Sequence, residues 1–591
     1  MRYSTVVLPF SYPARLLSTR ISKMARRFVA LENAVDFIET LSPSAQLNVE
    51  ICQLPPDEDG NITDEEHINE DAFMEVEPTD VCGELDVSIQ CDESDVDKSD
   101  EDTEEQIMAE SHEWKKRSSF INAFEVDHVS PLSNVAPHLM LCSPIELFHL
   151  IFPKERMQYY AEMTMRYAAQ KGGNLVVDGG DIEQFFGILL FSGYHCVPSE
   201  NAFWSTAEDM QVPLVSGSMS RSRFRELKKN FHTMDNTELL AGDKLGKISG
   251  VYDDLNNRLR QFGIFHEKLS IDEGMVPYYG HHTCKMFIRG KPIRFGYKIW
   301  TMSSANGYPY ALKIYAGRDE RKKSEPLGMK VIEEMISVLE RPVKHELYFN
   351  NFFASYDLLE KLSDKMIRAT GTIRNSRTRK IPIMPVDEVK KKYRGFFDHV
   401  CNGTVYVCRW NDNAVVTLAS NHLTHHPIGS VQRYSQSQKK HVKIRMPEIV
   451  RRYNTSMGGV DILDKLLSSY RPRLRSKKWW WNLFSNALNL AVVAAWQLHR
   501  ELHKDSSTAL SHLDFRRDVT THLLRAKPRL TIRTGRRAHP PETLRITEGH
   551  YLEPISQGRC RVCKKNCRLH CVECRERLHR KCFPLYHRVS T

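Results

Sequence analysis

Nowhere in this 591-residue chain does an apolar run reach the ~20 residues needed to cross a bilayer. The nearest, 487–498, is interrupted by Trp496 and by polar side chains, so no membrane span is expected. Basic residues are nearly missing from 57–113, where 24 Asp or Glu face Lys98 alone, and aromatics are scarce there too. Such a stretch buries too little apolar surface to offset its chain entropy. Residues 1–110 are therefore expected to be a disordered, acidic region, acting as a solvated spacer or as a competitor for the surface that binds a polyanion. Acids are in turn missing from the first 23 residues, which carry Arg2, Arg15, Arg20 and Lys23. That reads as an organelle-targeting segment or, given Met24, as an extension ahead of the folded protein. A disulfide framework is also lacking: eight of the 14 cysteines are scattered and six crowd into the last 32 residues. This distribution fits a reducing compartment. No internal repeat is present.

The length implies several cores, roughly one per ~150 residues. Net charge is +9, but removing the −23 of 57–113 leaves +32 on the rest. A field of that sign and size points to a polyanionic partner, or simply to a basic solvated surface. From 111 to 265 the pattern is helical: Ser143-Pro144 is a cap with proline at the first helical position, and 144–152, 181–190 and 221–231 repeat apolar residues at helical spacing. β-favouring runs follow at 268–279, 292–303, 308–315 and 346–353, with helices at 326–339 and 356–365. The expected fold class is α/β, a mixed sheet flanked by helices. Residues 405–410 and 414–418 form a hairpin around Asn411-Asp412-Asn413. A long helical stretch is expected over 459–503, then a basic linker over 526–556.

Three places offer carboxylates or near-carboxylates for metal. Asp272 lies in an apolar run, Asn350 closes Leu347-Tyr348-Phe349, and Asp461 and Asp464 share one helical face. Together they would suit a two-metal phosphoryl-transfer site, because two divalent ions ~3.5–4 Å apart need bridging anionic oxygens. Singly, each reads more readily as a turn or edge residue or as a solvated acid.

Four longer motifs accompany them: 269–280 (Leu269-Ser270-Ile271-Asp272-Glu273-Gly274), 286–298 (with Arg289-Gly290-Lys291-Pro292), 369–374, and Tyr453-Asn454-Thr455-Ser456-Met457-Gly458-Gly459-Val460-Asp461. In these the chain resembles the piggyBac transposases and the host proteins derived from them, over roughly 111–591. The resemblance implies a helical dimerisation and DNA-binding domain at 111–265. It also implies an RNase H-like core in two parts, 266–374 and 451–525, around a β-rich insertion domain at 375–450. The three catalytic aspartates of the family fall on Asp272, position 350 and Asp461, with Asp464 as an additional acid. At the second of these the family has aspartate and this chain has Asn350. A carboxamide is neutral and cannot bridge two cations. The expectation is a transposase-derived, DNA-binding host protein that no longer cuts, is nuclear and homodimeric, and uses Mg²⁺ only if catalysis is retained. The alternatives are an active or weakly active Mg²⁺-dependent cut-and-paste transposase and a chromatin-associated scaffold.

For double-stranded DNA the candidate contacts are Arg221 and Arg223, which read equally as a solvated helix face; Lys439, Lys440, Lys443 and Arg445, which alternate with apolar residues; and Arg475, Lys477 and Lys478 leading into Trp479. At least two of the three tryptophans at 479–481 are expected to start a core helix instead. At 557–591, Cys560-x2-Cys563, Cys571-x2-Cys574, His579-x2-Cys582 and His587 supply seven ligands for two structural Zn²⁺ ions. Cys567 or His570 is expected to be the eighth, with the first and third pairs sharing one ion. By the resemblance, this module faces DNA.

Overall fold

The computed structural model describes three short strands before residue 114 and then 114–587, apart from 122–123, 125–126, 289–290, 318–325, 379–380, 437, 505–507 and 529–548. The transit-like segment 1–23 and most of the acidic region and basic linker lie outside the described residues. The chain divides into two compact units, 1–196 with 221–528, and 197–220 with 529–591.

Strands β1 (Ala25–Phe28), β2 (Val49–Gln53) and β3 (Leu85–Ile89) form an antiparallel sheet in the order β1-β3-β2. Three short strands thus fall within the region expected to be disordered. Leu85, Val87 and Ile89 alternate with Asp86 and Ser88, a period-2 pattern set within the acidic run.

The large sheet is built from β4 (Lys268–Pro277), β5 (Met286–Phe287), β6 (Phe295–Ser304), β7 (Pro309–Ile314), β8 (Glu346–Phe349) and β9 (Arg368–Thr372). Strand β6 lies antiparallel to both β4 and β7, while β4, β8 and β9 run parallel. This is the mixed sheet of an RNase H-like core. Strands β4 and β8 are buried almost without interruption, as strands covered on both faces must be. Leu347, Tyr348 and Phe349 are fully enclosed, each worth roughly 1.5–3 kcal/mol of burial.

Strands β10 (Phe397–Cys401), β11 (Tyr406–Asn411) and β12 (Val415–Ser420) extend this same sheet, because β12 pairs antiparallel with β9. The hairpin read around Asn411-Asp412-Asn413 is thus present. The exposed edge of β10 is covered by the chain at Lys115, which exchanges backbone bonds with Cys401 of 3.0 and 2.9 Å. Strands β13 (Gly429–Ser435) and β14 (Lys440–Met446) form a separate two-stranded ribbon.

Helices α1 (Pro144–Ile151), α2 (Lys154–Gln170), α3 (Gly179–Phe191), α4 (Arg221–Asn230) and α5 (Gly246–Leu259) account for the helical segment. Glu146 accepts from both the backbone N–H and the hydroxyl of Ser143, at 2.7 and 2.6 Å, which fixes the start of α1. Helices α6 (Leu327–Ile336) and α7 (Tyr356–Asp364) follow β7 and β8 respectively. After α8 (Glu448–Ser456), the helix expected over 459–503 is two: α9 (Gly459–Ser469) and α10 (Trp481–Leu502). Pro472 interrupts them, since it lacks an N–H and pushes Arg471 out of the helical region. Helix α10 is buried nearly all round, as a helix apolar on every face must be, and packs against α1, α5 and α11 (His512–Leu524). No described helix is long and apolar enough to cross a membrane.

Candidate functional site

The core sheet places position 350 by register. Strands β4 and β8 are parallel with Ile271 opposite Phe349, so the next residues along each strand, Asp272 and Asn350, emerge side by side. Asn350 Nδ2 donates to Asp272 Oδ1 at 2.9 Å, and Asn350 Oδ1 accepts from the Phe352 N–H at 2.9 Å. Both ends of the carboxamide are thereby committed. The backbone donor requires the oxygen on its side, so only the NH₂ can face the carboxylate. The segment is held from behind by Phe353, which is buried, and by Phe352, which stacks on Trp300 with centroids 5.5 Å apart. Lys298 lies 3.9 Å from the Trp300 ring centroid.

Helix α9 brings the other acids. It packs on β4 and β6, and a Cβ at Gly459 would stand 2.1 Å from Ser304 O and 2.5 Å from Ser270 Oγ. Only glycine permits that approach, which is the physical content of the Met457-Gly458-Gly459 motif. Asp464 lies over β4, its Oδ1 3.2 Å from where a Cβ on Gly274 would be. Asp461, one turn earlier, is exposed. Burial, then the charge of Glu273, pushes the Asp272 carboxyl up to about 7, and burial pushes Asp464 up to about 6.

One participant had no role in the sequence reading. Lys291 Nζ lies 3.7 Å from Glu273 Oε1 and donates to Glu273 O at 3.4 Å. Burial alone would lower this ammonium, yet Glu273, Asp272, Asp461 and Asp464 together hold it above its ordinary value. Its signal was the Arg-Gly-Lys-Pro motif, which carried the resemblance and no chemistry of its own.

In the second unit, β15 (Leu552–Arg559) and β16 (Asn566–Cys571) form a hairpin, so the folded C-terminal segment starts ahead of 557. Two quartets result, Cys560, Cys563, His579 and Cys582, and His550, Cys571, Cys574 and His587, with all ligand atoms of each within 4.8 Å of one another. The first and third pairs do share a quartet, as read from spacing. The eighth member is His550, however, and not Cys567 or His570. His550 Nδ1 is 3.4 Å from Cys571 Sγ and 3.2 Å from Cys574 Sγ. Cys567 is instead a buried core residue whose thiol approaches Leu569 O at 3.6 Å. His550 carried no close-pair signal. Because Leu552 opposes Cys571 across the hairpin, the chain just before β15 lies beside the chain just after β16.

Both quartets fit a tetrahedral soft-ligand ion. His579 Nε2 meets Asn566 O at 2.9 Å, leaving Nδ1 turned toward Cys563 Sγ at 3.3 Å, the outer-shell arrangement of a ligating histidine. Burial raises Cys560, but backbone donors at Cys563, His579 and Val562 outweigh it and draw the thiol down to about 6. Burial, together with Cys560 and Cys563, raises Cys582 to about 11. Thiolates this close repel, and a divalent cation is the group that lets them ionise together.

A transposase IS4 family model matches residues 143–496. Human PiggyBac transposable element-derived protein 3 is 36% identical over 464 residues, 75% of this chain and 76% of that protein. The chain belongs to the piggyBac transposase-derived family. Human PiggyBac transposable element-derived protein 2 is 31% identical over 556 residues, 90% of this chain and 92% of that protein. In fold, the chain is similar to a piggyBac transposase in a cryo-EM structure of its synaptic complex with hairpin DNA, with a TM-score of 0.57 and 20% identity over 77% of this chain and 98% of that one.

The basic residues of this piggyBac-derived chain divide by what they already touch. Lys439, Lys440, Lys443 and Arg445 are exposed on the β13–β14 ribbon, and Arg221 is exposed on α4. Arg475 is exposed and Lys477 half-buried in the connection between α9 and α10. Arg223 pairs with Asp181 at 2.9 Å and Glu226 at 3.1 Å. Lys478 donates to the carbonyls of Lys228, Lys229 and Phe231 at 3.1, 2.9 and 2.9 Å, closing the C-terminal end of α4. Its three donors are used, which withdraws it from the DNA-contact set. Trp480 and Trp481 are buried, as expected of core tryptophans, while Trp479 stacks on His282 with centroids 4.1 Å apart.

Proposed function

We propose that this protein is a transposase-derived, sequence-specific DNA-binding protein that does not cut DNA. The observation that carries this reading is the 2.9 Å bond from Asn350 Nδ2 to Asp272 Oδ1. A ligand oxygen is missing where two divalent ions need one, and an N–H donor occupies a lone pair that a cation would need. The residues present therefore do not fit the Mg²⁺ pair. Zn²⁺ fits the two quartets. There it would cross-brace a segment too small for its own apolar core, and the surrounding Lys564, Lys565, Arg568 and Arg580 would meet phosphates.

DNA as the partner is supported by the exposed ribbon cations and by the solved hairpin-DNA complex of a protein with the same fold. Action on DNA makes the nucleus the expected compartment, and homodimerisation through the helical segment is part of the same reading. So are the domain boundaries at 265, 374 and 450. One observation favours a second reading, residual cleavage: Asp464 lies over Gly274, on the strand that carries Asp272, as a candidate substitute carboxylate.

The test is a strand-nicking assay on purified full-length protein with Mg²⁺ or Mn²⁺, comparing wild type with Asn350→Asp, beside binding assays over a salt series. No nicking by wild type, with log affinity falling steeply against log salt, is expected. Nicking by wild type would overturn the reading, and a flat salt response would point to a protein scaffold.

A further inference from the structure

The β13–β14 ribbon sorts its side chains by face. Its register sets Ser430 opposite Arg445, Gln432 opposite Lys443 and Tyr434 opposite His441, and all six are exposed. Side chains directly opposed across antiparallel strands share a face, so these three pairs form one outer surface. The alternate positions point inward: Ile444 and Met446 are buried in a cluster with Trp410, and Val431 and Val442 pack against it. Arg433, also on the inner face, pairs with Asp412 at 2.9 Å, and Trp410 Nε1 donates to Arg445 O at 2.9 Å. The ribbon is therefore a fixed platform and not a free arm. On its outer face, neutral polar groups and cations are separated by strand: Ser430, Gln432 and Tyr434 on β13, Lys443 and Arg445 on β14. From 413 to 447 the chain has no acid.

A basic face without acids selects an anionic partner. Two strands ~4.8 Å apart match a B-form major groove ~12 Å wide and, with side chains added, exceed a minor groove ~6 Å wide. The major groove of duplex RNA is too deep and narrow for side chains to read. Alternate residues of a strand lie ~6.8 Å apart, so Ser430 to Tyr434 spans ~14 Å, about four base-pair steps.

Resting on the DNA-binding reading, we propose that this outer face enters the major groove of duplex DNA, where Gln432 reads a base edge while Lys443 and Arg445 hold the phosphates. A carboxamide presents a donor and an acceptor side by side, which matches adenine N6 and N7. Arg445 is steadied by the Phe397 ring, 5.5 Å away. Strand β13 then carries sequence preference and β14 carries affinity.

The experiment selects duplexes from a fully randomised DNA pool with zinc-replete full-length protein, then measures binding to a selected and a scrambled duplex over a salt series. It compares wild type with Gln432→Ala, Gln432→Glu and Lys443→Gln. Gln432→Ala should lose about tenfold preference for adenine at one or two adjacent positions, keeping the rest of the motif and the salt slope. Gln432→Glu should move that preference to cytosine, whose N4 amine needs an acceptor. Lys443→Gln should weaken both duplexes alike and lower the salt slope by about 1. A selected motif identical in wild type and both Gln432 variants, or a Lys443→Gln slope equal to that of wild type, overturns the proposal and leaves the DNA-binding reading standing. Polyglutamate bound as tightly as duplex would assign the face to an acidic protein and overturn it too. If wild type selects no motif and its salt response is flat, both fall.

Discussion

Restoring the acid at position 350 should destabilise the protein before it restores anything. In Asn350→Asp, one carboxylate oxygen would keep the Phe352 N–H and the other would face Asp272 Oδ1 across the 2.9 Å now spanned by an N–H donor. Two unit charges ~3 Å apart in an effective dielectric of ~20 repel by roughly 5 kcal/mol, and the amide bond being replaced contributes ~1 kcal/mol. Sharing a proton caps the penalty, so we expect a loss of about 3–5 kcal/mol at pH 7.5 without added divalent ions. The sign with pH follows from Asp272, whose folded value of about 7 is raised above its ordinary 3.8. A raised carboxyl favours the folded state below its unfolded value and loses that contribution as pH rises through its folded value. A second carboxylate alongside steepens the loss. The difference between Asn350→Asp and wild type should therefore be small near pH 4, where a protonated carboxyl donates as the amide does, and should grow toward pH 8. Denaturant unfolding from pH 4 to 8 measures it. A difference that is flat with pH, or a variant as stable as wild type at pH 7.5, would refute the packing of position 350 against Asp272.

Three further outcomes follow from single contacts. Lys478→Met should cost about 2–3 kcal/mol by thermal or chemical unfolding, because it strips three carbonyls at the end of α4 of their charged donor, while leaving the salt slope of DNA binding unchanged. Gly459→Ala, whose Cβ would stand 2.1 Å from a backbone oxygen, should cost ~3 kcal/mol or more and displace α9, seen as lost protection of β4 and β6 amides in hydrogen exchange. His550→Ala should halve the zinc content measured by mass spectrometry of purified protein, whereas Cys567→Ala should retain both ions.

Much of the sheet was legible because its strands obey local rules. The apolar runs at 268–279, 292–303 and 308–315 became β4, β6 and β7 with only their ends trimmed. The break between α9 and α10 was written in Pro472, but continuous apolar spacing on either side concealed it. The strands β1 to β3 were masked by charge. An acidic average over 57–113 hides the five-residue alternation of Leu85–Ile89, and a short strand depends on its partners rather than on the mean of its surroundings.

What a cation does was not legible at all, since that depends on contacts between residues far apart in the chain. Lys291, Lys478 and Lys443 look alike in sequence, each a lysine in a basic stretch. In the fold, one pairs with Glu273, one ends a helix 247 to 250 residues away, and one projects from a ribbon into solvent. The same applies to His550, which joins Cys571 and Cys574 only because the β15–β16 register carries it there. The loss of an aspartate at 350 was visible as one letter. That Lys291 pairs with Glu273, and that the amide at 350 donates to Asp272, emerges only when β4, β8 and the loop before β6 are brought together.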